Sequence, residues 1–200
     1  MFSRRIIALN MAAAALALSA PACASDDPGP DGAAGSGGSM CGTCSEPVAI
    51  DETAPEVSFK SDVFPLMRIA CNGPTCHGAP LPGNGTFPGA GLYLGPHADS
   101  PPPDAATVDG VLANLKAPSK TAPEMAIVAP GDEARSFLIA KIHGCQNERG
   151  LSCTQQSTSA VRCESNPCGD IMPPVGEEVV ITPEQRDLLR RWVAQGALDN

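Results

Sequence analysis

The chain has 200 residues with 13 basic and 22 acidic side chains, a net charge of −9. Such a polyanion is a poor match for nucleic acid, whose binding is led by phosphate neutralisation. Acidity suits docking to a basic redox protein, and it is equally a plain solubility feature. Nine cysteines in so short a chain point to an oxidising compartment.

The first segment reads as a targeting signal. Arg4 and Arg5 precede an apolar run from Ile6 to Ala20, and Ala20, Pro21 and Ala22 supply small residues for cleavage. The run is shorter than the ~20 residues a spanning helix needs. Cleavage after Ala22 makes Cys23 the first mature residue and resembles a lipoprotein signal, which implies lipidation of Cys23 and a periplasmic or cell-envelope location. Ala20 and Pro21 depart from the usual pattern. An ordinary cut at the same bond leaves a soluble protein with a free thiol. Without residues 1–22 the net charge becomes −11, because two arginines and no acids are lost.

Residues 23–56 read as a flexible tether. The stretch "SDDPGPDGAAGSGGS" has too little apolar surface to offset the entropy of ordering it. Within it, "CGTC" at 41–44 lacks the strand and helix flanks of a thioredoxin-like site, so a local Cys41–Cys44 disulfide is expected.

Residues 57–200 are enough for one domain with a single core. In "SDVFPLMRIAC", Val63, Leu66, Met67 and Ala70 recur at the spacing of one helix face. Pro65 is tolerable there only in a first turn. The helix ends at "CNGPTCHG", where Cys71 and Cys76 are followed directly by His77. Three readings fit this motif: a disulfide loop beside an incidental histidine, a zinc site, or a covalent haem attachment. Zinc needs four ligands, and no second close Cys/His pair accompanies the motif outside the disulfide-suited cluster. Haem attachment explains all three residues: two thiols form thioethers and the imidazole ligates iron. The usual spacing is C-x-x-C-H. Here four residues intervene, and Gly73 and Pro74 are turn-forming chemistry that can absorb the extra two.

Further helices are expected around Val108, Val111, Leu112 and Leu115, and over 132–143, with Ala134, Phe137, Leu138 and Ile142 inward and Gly144 as the stop. Cys145, Cys153, Cys163 and Cys168 lie in a polar insertion at 145–168. Local staples are expected there, either 145–153 with 163–168 or 145–168 with 153–163. The last helix has the clearest start. Thr182 is an N-cap, Pro183 takes the first helical position and Gln185 completes a capping box, with Leu188, Leu189 and Trp192 as the apolar stripe. No sustained alternation marks a strand beyond the short "GLYL" at 91–94. The class is mostly α with long Pro/Gly loops. Four Phe, one Tyr and one Trp from Val57 onward leave little flat apolar material, which a buried haem would supply.

A sixth iron ligand has to come from Met125, Met172, His97 or His143, since Met67 shares a helix face with the core. Pro173 and Pro174 after Met172 suit a loop that presents a side chain, whereas Met125 opens an apolar stretch that reads as core.

The succession "SFKSDVFPLMRIACNGPTCHG", "GLYL", "VAPGDEARSFLIAKIHG", "IMPP" and "TPEQRDLLRRWVAQGALDN" resembles single-haem c-type cytochrome domains of bacterial exported proteins, of the planctomycete type. The likeness covers about Phe59 to Asn200. It implies the small α-helical cytochrome c fold, one haem c held by Cys71 and Cys76, His77 as proximal and Met172 as distal iron ligand, and electron transfer without substrate chemistry. The 145–168 insertion departs from the pattern. Two other classes remain to be separated from this one: a haem sensor or peroxidase-like protein, and a haemless, disulfide-stapled lipoprotein acting as an interaction module.

Overall fold

The computed structural model describes residues 44–45, 49–51, 54–73, 76–78, 89–154, 168–174 and 179–200. The leader, Cys23, Cys41 and Cys163 lie outside the described residues. The helical path begins with a π-helical turn, Phe59–Val63, that runs directly into α1, Phe64–Ala70. Ser58 caps the start, its Oγ accepting the Ser61 amide at 3.0 Å. The Phe64 amide then reaches back five residues, to the Phe59 carbonyl. Pro65 supplies the reason. Its ring crowds the carbonyl four residues earlier in an α-helix, and a wider turn in front relieves that crowding. Pro65 is therefore the second residue of α1, as a first-turn proline should be.

Asp104 opens α2, Ala105–Lys116, by accepting the Thr107 amide at 2.8 Å. Val111, Leu112 and Leu115 are buried, as their spacing predicts, and Val108 packs against the same core. The next helix, α3, is shorter than expected and covers only Phe137–Ile142. Residues 132–136 form turns, because side chains there capture backbone groups a helix would use. Asp132 Oδ1 accepts the Arg135 amide at 3.0 Å, and Ser136 Oγ both accepts from the Ala129 amide and donates to the Asp132 carbonyl at 2.8 Å. Ala134, expected inward, is consequently exposed. Gly144, at φ 72°, ends the element as predicted. The last helix, α4, spans Pro183–Ala194, with both halves of the Thr182–Gln185 capping box formed.

One core joins all of these elements. Phe59 stacks on Trp192 with ring centroids 5.5 Å apart and meets Phe64 at 5.9 Å. Phe59, Met67, Leu115 and Trp192 have no solvent exposure, and each contributes about 1.5–3 kcal/mol of burial. The carboxyl-terminal residues close over the first helix. Asn200 accepts from the Phe59 and Lys60 amides, and Trp192 Nε1 donates to the Leu198 carbonyl at 3.1 Å. A smaller apolar cluster of Ala122, Met125, Phe137 and Cys168 lies beside the main one. Met125 is thus core, as its sequence neighbourhood suggested.

Among the described residues there is no strand, only isolated bridges of Ala126 with Pro118 and Ser136. The described part is helical with long loops. No helix within it is long and apolar enough to cross a membrane.

The disulfides correct the expected pairing. Cys44 bonds Cys145, across 101 residues, and Cys153 bonds Cys168. Neither proposed pairing of the insertion occurs, and Cys44 is not joined to Cys41. The physical cause is the end of α3. His143 offers its carbonyl to the Ser45 amide at 3.0 Å, which brings Cys44 against Cys145. The segment read as a free tether is therefore fastened to the domain at Cys44 and Ser45.

Candidate functional site around His77

The Cys71–His77 loop starts where α1 ends. Cys71 is the C-cap of that helix, and its amide still bonds the Met67 carbonyl at 2.8 Å. The chain then folds back on itself. Gly73 accepts the Cys76 amide at 2.9 Å, and Cys71 accepts the His77 amide at 3.1 Å. The two residues beyond the usual spacing are absorbed in this way, so His77 lands next to Cys71. Asn72, fully buried, ties the loop inward by donating to the Leu94 carbonyl at 2.6 Å. Two glycines make the closure possible. A Cβ on Gly78 would lie 2.0 Å from the Asn72 carbonyl oxygen, and one on Gly89 would lie 3.1 Å from His77 Cε1.

The imidazole is held by a return strand of loop. His77 Nδ1 lies 3.0 Å from the Leu92 carbonyl, and the Leu94 amide donates to the His77 carbonyl at 2.9 Å. A carbonyl only accepts, so Nδ1 carries the hydrogen and the lone pair sits on Nε2. Burial lowers the His77 pKa and the Lys141 ammonium lowers it further, against the Leu92 and Gly89 carbonyls that raise it. The ring is thereby kept neutral and held in one orientation.

The two sulfurs differ. Cys71 is a free, half-buried thiol, pushed up to about 12 by desolvation. Cys76 is disulfide-bonded. Its sulfur packs against Gly73, whose Cβ position lies 3.2 Å away. That disulfide and a thioether at Cys76 exclude each other.

Met172 is half-buried in the loop that follows the insertion, with a cis bond to Pro173. Its amide donates to the Lys141 carbonyl at 3.0 Å. Lys141 is the element connecting the two expected ligands, since its ammonium acts on His77 and its backbone holds Met172. Burial lowers the Lys141 pKa to about 8, and Asp170 opposes the shift. The two histidines considered as alternative ligands point elsewhere. His97 pairs with Asp99 at 3.3 Å in an exposed loop. His143 turns its Nδ1 to the Ser45 carbonyl at 3.1 Å, beside the Cys44–Cys145 bond.

The chain matches no family model, no curated protein and no solved structure. Function must be read from the site itself. Among the described residues no group of three or more His, Cys, Asp or Glu side chains is gathered as a metal site. Two open grooves, of about 900 and 430 Å³, are lined by neither His77 nor Met172.

Asn72, Leu92, Lys141 and the two glycines were not singled out from sequence. Lys141 did carry a signal. It lies four residues after Phe137 on the same helix face, which places a charge on an apolar stripe.

Proposed function

We propose that the chain is an exported c-type cytochrome that holds one haem covalently through Cys71 and Cys76 and passes single electrons. The observation that carries this reading is the His77 Nδ1 bond to the Leu92 carbonyl, which leaves the lone pair on Nε2 of a residue that directly follows Cys76 in the chain. A metal-bound histidine characteristically donates its other ring hydrogen in this way. Bound here, a haem iron would supply a one-electron couple tuned by its axial ligands and burial.

The chain's own residues would do the rest. Cys71 and Cys76 offer sulfurs from either end of a closed loop, Leu92 fixes the His77 tautomer, and Met172 offers a thioether from the later loop. Maturation has to claim the Cys76 sulfur before a disulfide does. The acidic surface suits a basic redox protein as partner. Lipidation of Cys23 would confine the domain to a membrane surface, and palmitate labelling lost in Cys23→Ser tests that anchor.

Expression in a host with cytochrome c maturation machinery decides the main reading. Haem should survive acid–acetone extraction and stay with the polypeptide in denaturing gels, and His77→Ala should remove the proximal bond. Wild-type protein with no Soret band and with Cys76 still in a disulfide would overturn it. The second reading would then hold: a haemless, disulfide-stapled envelope protein acting as an interaction module. The Cys76 disulfide is the observation that favours it.

A further inference from the structure

We propose that Cys44–Cys145 is a thiol-exchange site, a bond that a small zwitterionic thiol opens and recloses from the groove beside it, while Cys153–Cys168 stays shut. The inference is independent of the cytochrome reading and rests on what surrounds the two sulfurs.

The bond has an approach. Cys44 is half-buried and Cys145 is 5% exposed, and both line the open groove of about 430 Å³. A groove of that size lies within the range that seats small organic molecules. Its walls carry both signs of charge, with Glu148 exposed and Arg149 half-buried, which suits a thiol that itself bears an ammonium and carboxylates. The second bond lacks such an approach. Cys168 is 1% exposed, and neither Cys153 nor Cys168 lines either groove. Exchange rates follow access to the attacked sulfur, so the two bonds should react differently.

The site is also built to hold the opened form. Cys145 Sγ lies 3.5 Å from the His143 carbonyl oxygen and 3.8 Å from that of Ser45. A disulfide sulfur has no hydrogen to offer them, whereas a Cys145 thiol donates to both. Attack therefore falls on the more accessible Cys44. The incoming thiolate bonds to Cys44 Sγ, the S–S bond breaks, and the Cys145 sulfur takes up the proton that the incoming thiol had released. A second thiol reduces the mixed disulfide at Cys44, leaving two cysteines and the oxidised small thiol.

Reclosure is provided for by Ser45. Its amide donates to the His143 carbonyl at 3.0 Å, and His143 Nδ1–H donates to the Ser45 carbonyl at 3.1 Å. Neither bond involves sulfur. They keep Cys44 within reach of Cys145 after the S–S bond is cut, and this high effective concentration makes the opening reversible.

Folded, full-length protein in graded mixtures of reduced and oxidised glutathione tests the site, with acid quenching, alkylation and peptide mapping. Cys44 and Cys145 should be alkylated together, about tenfold or more ahead of Cys153 and Cys168, with trapped glutathione on Cys44. Ala134→Trp narrows the groove from an exposed position and should slow the opening roughly tenfold, leaving Cys153 and Cys168 unaffected. Ser45→Pro removes the amide donor and should shift the balance roughly tenfold towards the opened form, the size of one lost hydrogen bond. Alkylation of all four cysteines at one rate, or of none without denaturant, overturns the exchange site. So does an unchanged opening rate in Ala134→Trp. Reduction by thioredoxin but not by glutathione overturns the small-thiol assignment, and an adduct on Cys145 overturns the direction of attack.

Discussion

His77 and His143 present the same tautomer in opposite settings: each turns Nδ1–H to a backbone carbonyl, Leu92 at 3.0 Å and Ser45 at 3.1 Å. Each ring therefore keeps its lone pair on Nε2. His77 does so in a half-buried loop beside two cysteines. His143 does so with Nε2 buried and unpartnered, against the disulfide that fastens the amino-terminal segment. The same local chemistry thus orients a ring within the Cys71–His77 loop in one place and closes the fold in the other.

This arrangement fixes how haem-free protein should respond to acid. Burial is the largest cause lowering the His143 pKa, followed by Arg190 and Arg186. The unfolded imidazole, at the ordinary 6.5, takes up a proton that the folded one refuses. Stability should be complete above that value and fall as the pH drops below it. His77 pushes in the same direction. His143→Gln keeps a donor for Ser45 and removes one proton site, so it should reduce the slope without abolishing it. The slope per proton cannot exceed about 1.4 kcal/mol per pH unit. Urea midpoints measured across the acid range check this, and an unchanged slope in His143→Gln refutes it.

The two disulfides between described residues should carry much of the stability of so small a core. Cys44–Cys145 spans 101 residues and Cys153–Cys168 spans 15. Replacing either pair with serine should cost about 2–4 kcal/mol, through the loop entropy restored to the unfolded chain. Non-reducing peptide mapping should recover both cross-links. A Cys145–Cys153 or Cys145–Cys168 peptide would contradict them.

Charge pairs should divide by burial. Arg190 Nε reaches Glu133 at 2.7 Å and its Nη1 reaches Asp187 at 2.9 Å, with the Arg190 side chain 5% exposed. Glu133→Gln leaves a buried guanidinium with one partner and should cost about 3 kcal/mol. Lys60–Asp199, though 2.9 Å long, lies between side chains that are 48% and 43% exposed. Asp199→Asn should leave the thermal midpoint unchanged within error, since solvent screens such pairs. Comparable losses in both variants would remove burial as the deciding variable.

Much of this architecture was legible in the sequence wherever a local rule determined the outcome. The Thr182–Gln185 capping box and the Val111–Leu115 stripe needed no distant partner, and both elements formed as read. Helix α3 failed over its first turn because Ser136 bonds Ala129 and Asp132 across a turn, a competition that periodicity does not report. The cysteine pairing failed for a longer-range reason. Which thiols meet depends on where α3 ends and on the Ser45–His143 bond, 98 residues apart. At the candidate site, Cys71, Cys76 and His77 stand out in the sequence by type and spacing. Leu92 and Asn72 act through a carbonyl and an ordinary amide, which any residue or any asparagine could offer.

Three glycines give the sharpest test of the loop geometry, because the same change should have three different outcomes. In α2, Gly110 has nothing within 4 Å of its Cβ position. Gly110→Ala should therefore stabilise the protein by about 0.5–1 kcal/mol, from backbone entropy alone. Gly78 is the opposite case, since its Cβ would sit 2.0 Å from the Asn72 carbonyl oxygen. That oxygen belongs to the backbone of a buried residue and cannot swing aside. Gly78→Ala should cost about 3 kcal/mol or more by overpacking. Gly89 is intermediate, with a Cβ position 3.1 Å from His77 Cε1. A ring can yield a few tenths of an ångström, so Gly89→Ala should cost less than about 1 kcal/mol in stability. What it should change is the His77 bond to Leu92, seen as a shifted Nδ1–H resonance in haem-free protein. Under the proposed haem-binding function it should also move the reduction potential, because the orientation of an axial imidazole would tune the metal. A destabilised Gly89→Ala with an unmoved Nδ1–H signal would mean that Gly89 packs the loop without orienting the ring.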